Sequence, residues 1–213
     1  MEAARKRAQA EPKSWQAYND LAFALCRLAR DNQDAKLYDQ AEVALQHSLQ
    51  LSPDNYDARK LKVTILVGEG DLVGALKLAK ELNRKVPDDI GTWGLLVDAN
   101  MALGNYSDAE RAAQWILDLR PGSSLGFVKA ATLREHFGDI EGAIEFLEEA
   151  GRRTSQNDLD ERAWLLTQDA RLQQMAGNPK RAQELLTEAL KLFPDSQLAL
   201  AGLAKMRIAE AKR

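Results

Sequence analysis

Apolar residues along this chain recur at three- and four-residue steps, broken by short polar runs rich in Gly, Pro, Asn and Asp. Leu159, Ala163, Leu166 and Ala170 share one face at this spacing, and Leu200, Leu203 and Ala204 form a similar set. Steps of this kind predict amphipathic helices. The pattern itself repeats. Ala41, Ala75, Ala109 and Ala143 stand 34 residues apart, and so do Pro53, Pro87 and Pro121 and, in a third set, Gly70, Gly104 and Gly138. Each type has a reason for its place. Alanine allows two helices to cross closely, glycine ends a helix in the left-handed conformation, and proline stops the next one. One period is therefore a helix hairpin. A lone hairpin cannot bury both its apolar faces, so each period needs neighbours.

The period is broken in two places. After Ala143 the step is 39, to Ala182, with Pro194 following 12 later; the five extra residues fall in the polar run Gly151 to Asp160, which reads as a loop. Asp158 with Glu161 three on is expected to cap the helix that follows. Near the start, Leu25 to Ala41 is 16 residues where Asn100 to Ala109 is 9. The seven extra residues near Arg30 to Leu37 contain no Pro or Gly and are expected to lengthen two helices. In the second period strict phasing would bury Arg59 and Lys62, whereas a shift of one residue buries Ala58, Leu61 and Ile65; the shift is favoured.

The stretch Trp93 to Pro121 carries the fullest signature: Trp93, Leu96, Gly104, Tyr106, Ala109 and Pro121, with Val97, Asn100 and Ala113 standing where Gly, Tyr and Phe are usual. In this spacing the chain resembles the tetratricopeptide-repeat family. The resemblance implies an all-α fold, a right-handed α-α superhelix of about five helix pairs with a C-terminal capping helix. Residues 1–12 are then the end of a preceding helix or an N-terminal stub. Residues 13–194 hold five repeats, at about 15–54, 55–88, 89–122, 123–156 and 159–195, and residues 196–213 form the closing helix. A fragment of a longer array would read the same way.

Composition narrows the classes of function. Lys and Arg total 29 against 32 for Asp and Glu, with the signs interleaved, so no basic stripe points to nucleic acid. No window approaches the length of apolar chain that a membrane span needs. Met1 is followed by charged residues without an apolar core, so the chain as given is expected to be cytoplasmic, or periplasmic if a signal segment has been removed. Cys26 lies in a largely apolar run and reads as a small packed thiol.

Catalytic chemistry finds little to stand on. His47 and His136 fall in different repeats with no second ligand at metal spacing, and no nucleophile, base and orienter can be assembled around Cys26. Gly91 and Gly94, like the other glycines, read as helix stops without the strand that a phosphate loop requires. Asp88 and Asp89 read as turn residues. A non-enzymatic protein without cofactor or metal is expected.

In the family it resembles, the first helix of each pair lines a concave groove that holds a peptide or a partner's helix. The resemblance places Asn19, Phe23 and Arg27 there from the first repeat and Lys60 from the second. Leu95, Asp98 and Met101 follow from the third. Lys129, Thr132, Glu135 and His136 come from the fourth, and Trp164, Gln168 and Arg171 from the fifth. Family members that grip acidic chaperone tails use Lys and Asn at positions here held by Asn19 and Phe23, Lys60 and Thr64, and Gly94 and Asp98; that clamp is absent. Trp115 lies outside the family pattern and is expected either to cover the next repeat or to mark a contact surface. The expected function is an adaptor or scaffold binding a protein or peptide in the groove. Two alternatives stand beside it. One is a regulatory or substrate-presenting arm of a larger enzyme or secretion machine, since the first-repeat insertion also resembles modules of bacterial cytochrome c maturation. The other is self-assembly into homo-oligomers through the end helices.

Overall fold

The computed structural model describes residues 1–211, with side chains as far as Ile208. Lys212 and Arg213, where the sequence ends the closing helix, lie outside the described residues. Among the described residues there are twelve α-helices and no strand. The chain divides after Ala112 into two compact units.

The first unit contains α1 (Glu2–Ala10), α2 (Trp15–Asn32), α3 (Lys36–Leu51), α4 (Tyr56–Glu69), α5 (Leu72–Lys85), α6 (Ile90–Leu103) and the start of α7 (Tyr106–Leu119). Helix α2 packs on α3 and α4 on α5, while α2, α4 and α6 also touch in succession. The extra residues of the first repeat are taken up at the end of α2 and the start of α3, with only a short turn between them. Gln33 makes that turn at φ 52, a left-handed conformation without glycine.

The second unit holds the rest of α7, then α8 (Ser124–His136), α9 (Ile140–Arg153), α10 (Leu159–Met175), α11 (Pro179–Leu192) and α12 (Gln197–Ala211). Here α8 pairs with α9 and α10 with α11; α9 also packs on α10, and α12 on both α10 and α11. The polar run expected to be a loop is shorter than its composition suggests. Helix α9 runs on through Arg153, because Arg152 and Arg153 each reach back to Glu149 at 2.7 Å and support another turn.

The repeated residues do what their chemistry suggests. Ala41, Ala75, Ala109, Ala143 and Ala182 have no exposed surface. Gly70, Gly104 and Gly138 take positive φ at the ends of first helices, and Gly177 does the same in the last pair. Pro53, Pro87, Pro121 and Pro194 sit in the turns after second helices. Trp93 is tied to this phase directly: its indole N–H donates to the Pro87 carbonyl at 2.7 Å. Each first helix is capped by a short polar side chain. Ser14, Asn55, Asp89, Ser123 and Asp158 accept backbone N–H bonds, the last from Glu161. In α4 the shifted register holds. Ala58 and Ile65 are buried with Leu61 against them, while Arg59 and Lys62 leave the core to pair with Glu81 and Glu42.

Candidate functional site

The first helices of the first unit present a shallow cavity of about 360 Å³. Its lining comes from three helices: Asn19 and Phe23 on α2, Asp57, Lys60, Leu61 and Thr64 on α4, and Gly91 and Leu95 on α6. These positions meet because α2, α4 and α6 pack side by side, so residues at matching turns of each helix face the same space.

Each wall has a distinct character. Phe23 is 51% exposed although aromatic, and with Leu61 and Leu95 it gives the cavity an apolar side. The Arg27 guanidinium lies 5.8 Å from the Phe23 ring centroid. Asn19 is less open than its assigned place in the groove implies. It is buried; its Oδ1 accepts from Ser48 Oγ at 2.6 Å and its Nδ2 donates to Asn55 Oδ1 at 3.4 Å. Since Asn55 also caps α4 through the Ala58 N–H, Asn19 links α2 to α3 and α4.

Lys60 supplies the cation, and it too is engaged. Its ammonium stands 3.1 Å from Asp57, 3.3 Å from Asp89 and 5.1 Å from the Tyr56 ring centroid. Burial pulls its pKa down, but the bond to Asp57 and the charge of Asp89 outweigh this and leave it raised. Asp89 is the hub of the cluster. It accepts from the Thr92 hydroxyl at 2.7 Å, from Tyr56 at 3.2 Å and from the Gly91 and Thr92 amides. Burial pushes its carboxyl up, and the Thr92 bond and Lys60 together more than reverse that, so it lies below the usual carboxylate range. Two carboxylates against one ammonium leave this rim mildly acidic.

Among the residues the sequence assigned to the groove, Asn19, Phe23, Lys60 and Leu95 line this cavity, whereas Arg27, Asp98 and Met101 do not. Asp57, Leu61, Thr64 and Gly91 line it as well and were not assigned to the groove, Thr64 having been named only for the absent clamp. The signal for all four was present. Asp57 stands two before Arg59 as Gly91 does before Trp93, Leu61 two after Arg59 as Leu95 does after Trp93, and Thr64 five after Arg59 as Phe23 does after Tyr18, but the uncertain register of α4 and the reading of Gly91 as a helix stop hid them. Gly91 is in the first turn of α6.

In the second unit the assigned residues largely satisfy one another. Glu135 on α8 and Arg171 on α10 form a two-pronged ion pair, Nη2 to Oε2 being 2.7 Å, and Arg171 Nε reaches Gln168 at 3.4 Å. Thr132 donates to its own helix at Val128. His136 stacks edge-on against Phe137, with centroids 5.3 Å apart. Trp164 packs partly buried against the cluster of Ala131, Ala143 and Leu147, so it serves the core more than an open anchor would. Lys129 lies on α8 and Trp115, 51% exposed, on α7.

Burial pushes the Cys26 thiol up to about 12, with Glu42 adding to the effect. Among the described residues no group of three or more His, Cys, Asp or Glu is placed to hold a metal ion, and no helix is long and apolar enough to cross a membrane.

Stacked helix hairpins with a lined inner face define a helical repeat protein. A tetratricopeptide repeat profile matches residues 32–96 and 66–125. A thermophilic tetratricopeptide protein of Thermus thermophilus superposes with TM-score 0.71 at 17% identity, over 88% of this chain and 99% of that one. A chain of the anaphase-promoting-complex hetero-tetramer Cut9–Hcn1 superposes with TM-score 0.75 at 17% identity, over 99% of this chain and 38% of that one. In sequence, the Protein SGT1 homolog of Bos taurus is 34% identical over 98 residues, 46% of this chain. The match spans 28% of that protein's length. The profile match places tetratricopeptide repeats within residues 32–125, and the structural neighbours show that the chain shares the all-α helix-hairpin fold of such repeats.

Proposed function

We propose that this chain is a non-enzymatic adaptor that holds a partner's peptide or helix on the inner helices of its first unit. The cavity carries the reading. An aromatic side chain left half exposed beside Leu61 and Leu95, with charged groups fixed at the rim, suits an apolar anchor residue flanked by polar chain. Phe23 provides the contact area, and Asp57 and Lys60 meet polar groups on either side of the anchor. The same mode of action has support from a further structural neighbour. YrrB, described as a tetratricopeptide protein with an unusual peptide-binding site, superposes with TM-score 0.52 at 15% identity, over 95% of this chain.

The test is to select peptides on the wild-type chain from a random display library and measure them by fluorescence anisotropy against Phe23→Ala and Phe23→Glu. Both variants change an exposed side chain and are expected to keep full helicity. Loss of at least tenfold in affinity supports the reading. Unchanged affinity, or a library that yields no binder, sinks it.

A second reading, in which these repeats are one arm of a larger protein, draws on coverage. The similarity to the SGT1 homolog takes in 28% of that protein, and the superposition on the Cut9–Hcn1 chain takes in 38% of that one. Fusion to a partner domain would leave the same cavity in use.

A further inference from the structure

The second unit holds a larger cavity that none of the expected groove residues lines. It has a volume of about 520 Å³ and lies among α9, α10 and α11. That is within the range of small-ligand and peptide sites. Leu165, Leu166 and Leu185 give it apolar walls, and Asp169 also lines it although only 5% of that residue is exposed.

Asp169 is poorly provided for. Its Oδ1 accepts from Gln173 Nε2 at 3.2 Å, and Oδ2 has no hydrogen-bond partner among the described residues. A carboxylate this buried ordinarily has a cation or several donors. An internal comparison shows what is missing. Lys62 stands at the same distance before Ala75 and Gly70 as Asp169 does before Ala182 and Gly177. There the charge is matched across the hairpins, the Lys62 ammonium meeting Glu42 on α3 at 2.7 Å. No side chain of α9 does the equivalent for Asp169.

The other charges around it do not fill the gap. Arg152 on α9 is held by Glu149 at 2.7 Å, and Arg181 on α11 by Glu184 at 3.2 Å. Both of those glutamates lie outside the lining. Arg152 also stands 3.9 Å from Glu148, so three arginines and three carboxylates line the cavity, and of the carboxylates Asp169 is the buried one. Burial first, and then Glu148, raise the Asp169 pKa, against the Gln173 bond and Arg181.

We propose that this cavity takes a lysine side chain of a partner peptide, the aliphatic stem lying along the leucines and the ammonium pairing with Asp169. Lysine fits better than arginine because Gln173 already occupies Oδ1. One free oxygen suits a compact ammonium, whereas a guanidinium fork needs two.

The probe is the blocked tripeptide acetyl-Ala-Lys-Ala-amide, followed by amide chemical shifts of Glu148, Asp169 and Leu185 in the labelled chain. Its norleucine, arginine and glutamate counterparts are run in parallel. Saturable shifts with the lysine peptide are expected, with binding at least tenfold weaker for norleucine and at least tenfold weaker for lysine on Asp169→Asn. Asparagine keeps the shape and the Gln173 bond, and circular dichroism checks that helicity is retained. Lowering the pH through the raised Asp169 pKa weakens lysine binding in wild type alone. Norleucine binding as well as lysine, tighter binding of the arginine or glutamate peptide, no shifts at all, or an unaffected Asp169→Asn would each overturn the proposal. The site lies in the second unit, so its failure leaves the Phe23 test untouched.

Discussion

Ser48 on α3 donates its hydroxyl to the side-chain oxygen of Asn19 on α2 at 2.6 Å, and both residues are buried. This is the donor that lets a buried polar amide line the cavity of the first unit. Ser48→Ala removes the donor and leaves a buried carbonyl unpaired, which costs about 1–3 kcal/mol. Urea unfolding should show a lower midpoint with an unchanged slope. Peptide affinity should fall less than with Phe23→Ala, since Ser48 does not line the cavity.

Gly68 on α4 lies under the ring of Tyr38 on α3, where an added Cβ would come 2.5 Å from the ring. Alanine gains about 1 kcal/mol of helix propensity over glycine, but forcing a methyl into this contact costs about 1–3 kcal/mol. Gly68→Ala alone is expected to be destabilising. Combined with Tyr38→Leu the same change should become neutral or favourable, and a double-mutant cycle in urea measures that coupling.

Two carboxylates should make opposite contributions to the pH dependence of stability. The folded pKa of Asp89 is lowered, so its stabilisation is present above the ordinary carboxylate pKa and is lost as pH falls through the folded value. Asp89→Asn should therefore lower stability at neutral pH, with the difference shrinking in acid. The folded pKa of Asp169 is raised, so its charge opposes folding at neutral pH and the penalty disappears as it protonates. Asp169→Asn should be more stable than wild type at neutral pH and converge with it in acid. Thermal melts from pH 3 to 8 separate the two signs.

Cys26 should react only when its surroundings open. With the thiol pushed up to about 12 and its side chain buried, iodoacetamide labelling at pH 8 is expected to follow unfolding, and to accelerate steeply across the urea transition. Rapid labelling in native buffer would contradict this placement.

The fold was legible because its rules are local and periodic. Alanine, glycine and proline at a fixed period state where helices cross, stop and turn, and Ala41, Gly70 and Pro87 need no distant partner to be read. The cavity was half legible for the same reason. Phe23 and Leu95 follow from their steps around Tyr18 and Trp93, but Asp57 and Thr64 depended on the register of α4, which its mixed sequence obscures. Nothing local reveals that Asn19 is spent on Ser48 and Asn55, or that Glu135 and Arg171 find each other across 36 positions. Such pairings are fixed by tertiary packing. The helical continuation through Arg153 was hidden by the polar residues that support it.

Within each unit the packing described above joins a helix to those one or two places along the chain. Such contacts span short loops, so the entropy lost in closing them is small and assembly is expected to be fast. The consequence reaches back to synthesis: Ala17, Ala22 and Leu25 can be covered once α3 and α4 have left the ribosome, long before α12 exists. A chain built this way can form its cavity-lining helices without waiting for α12.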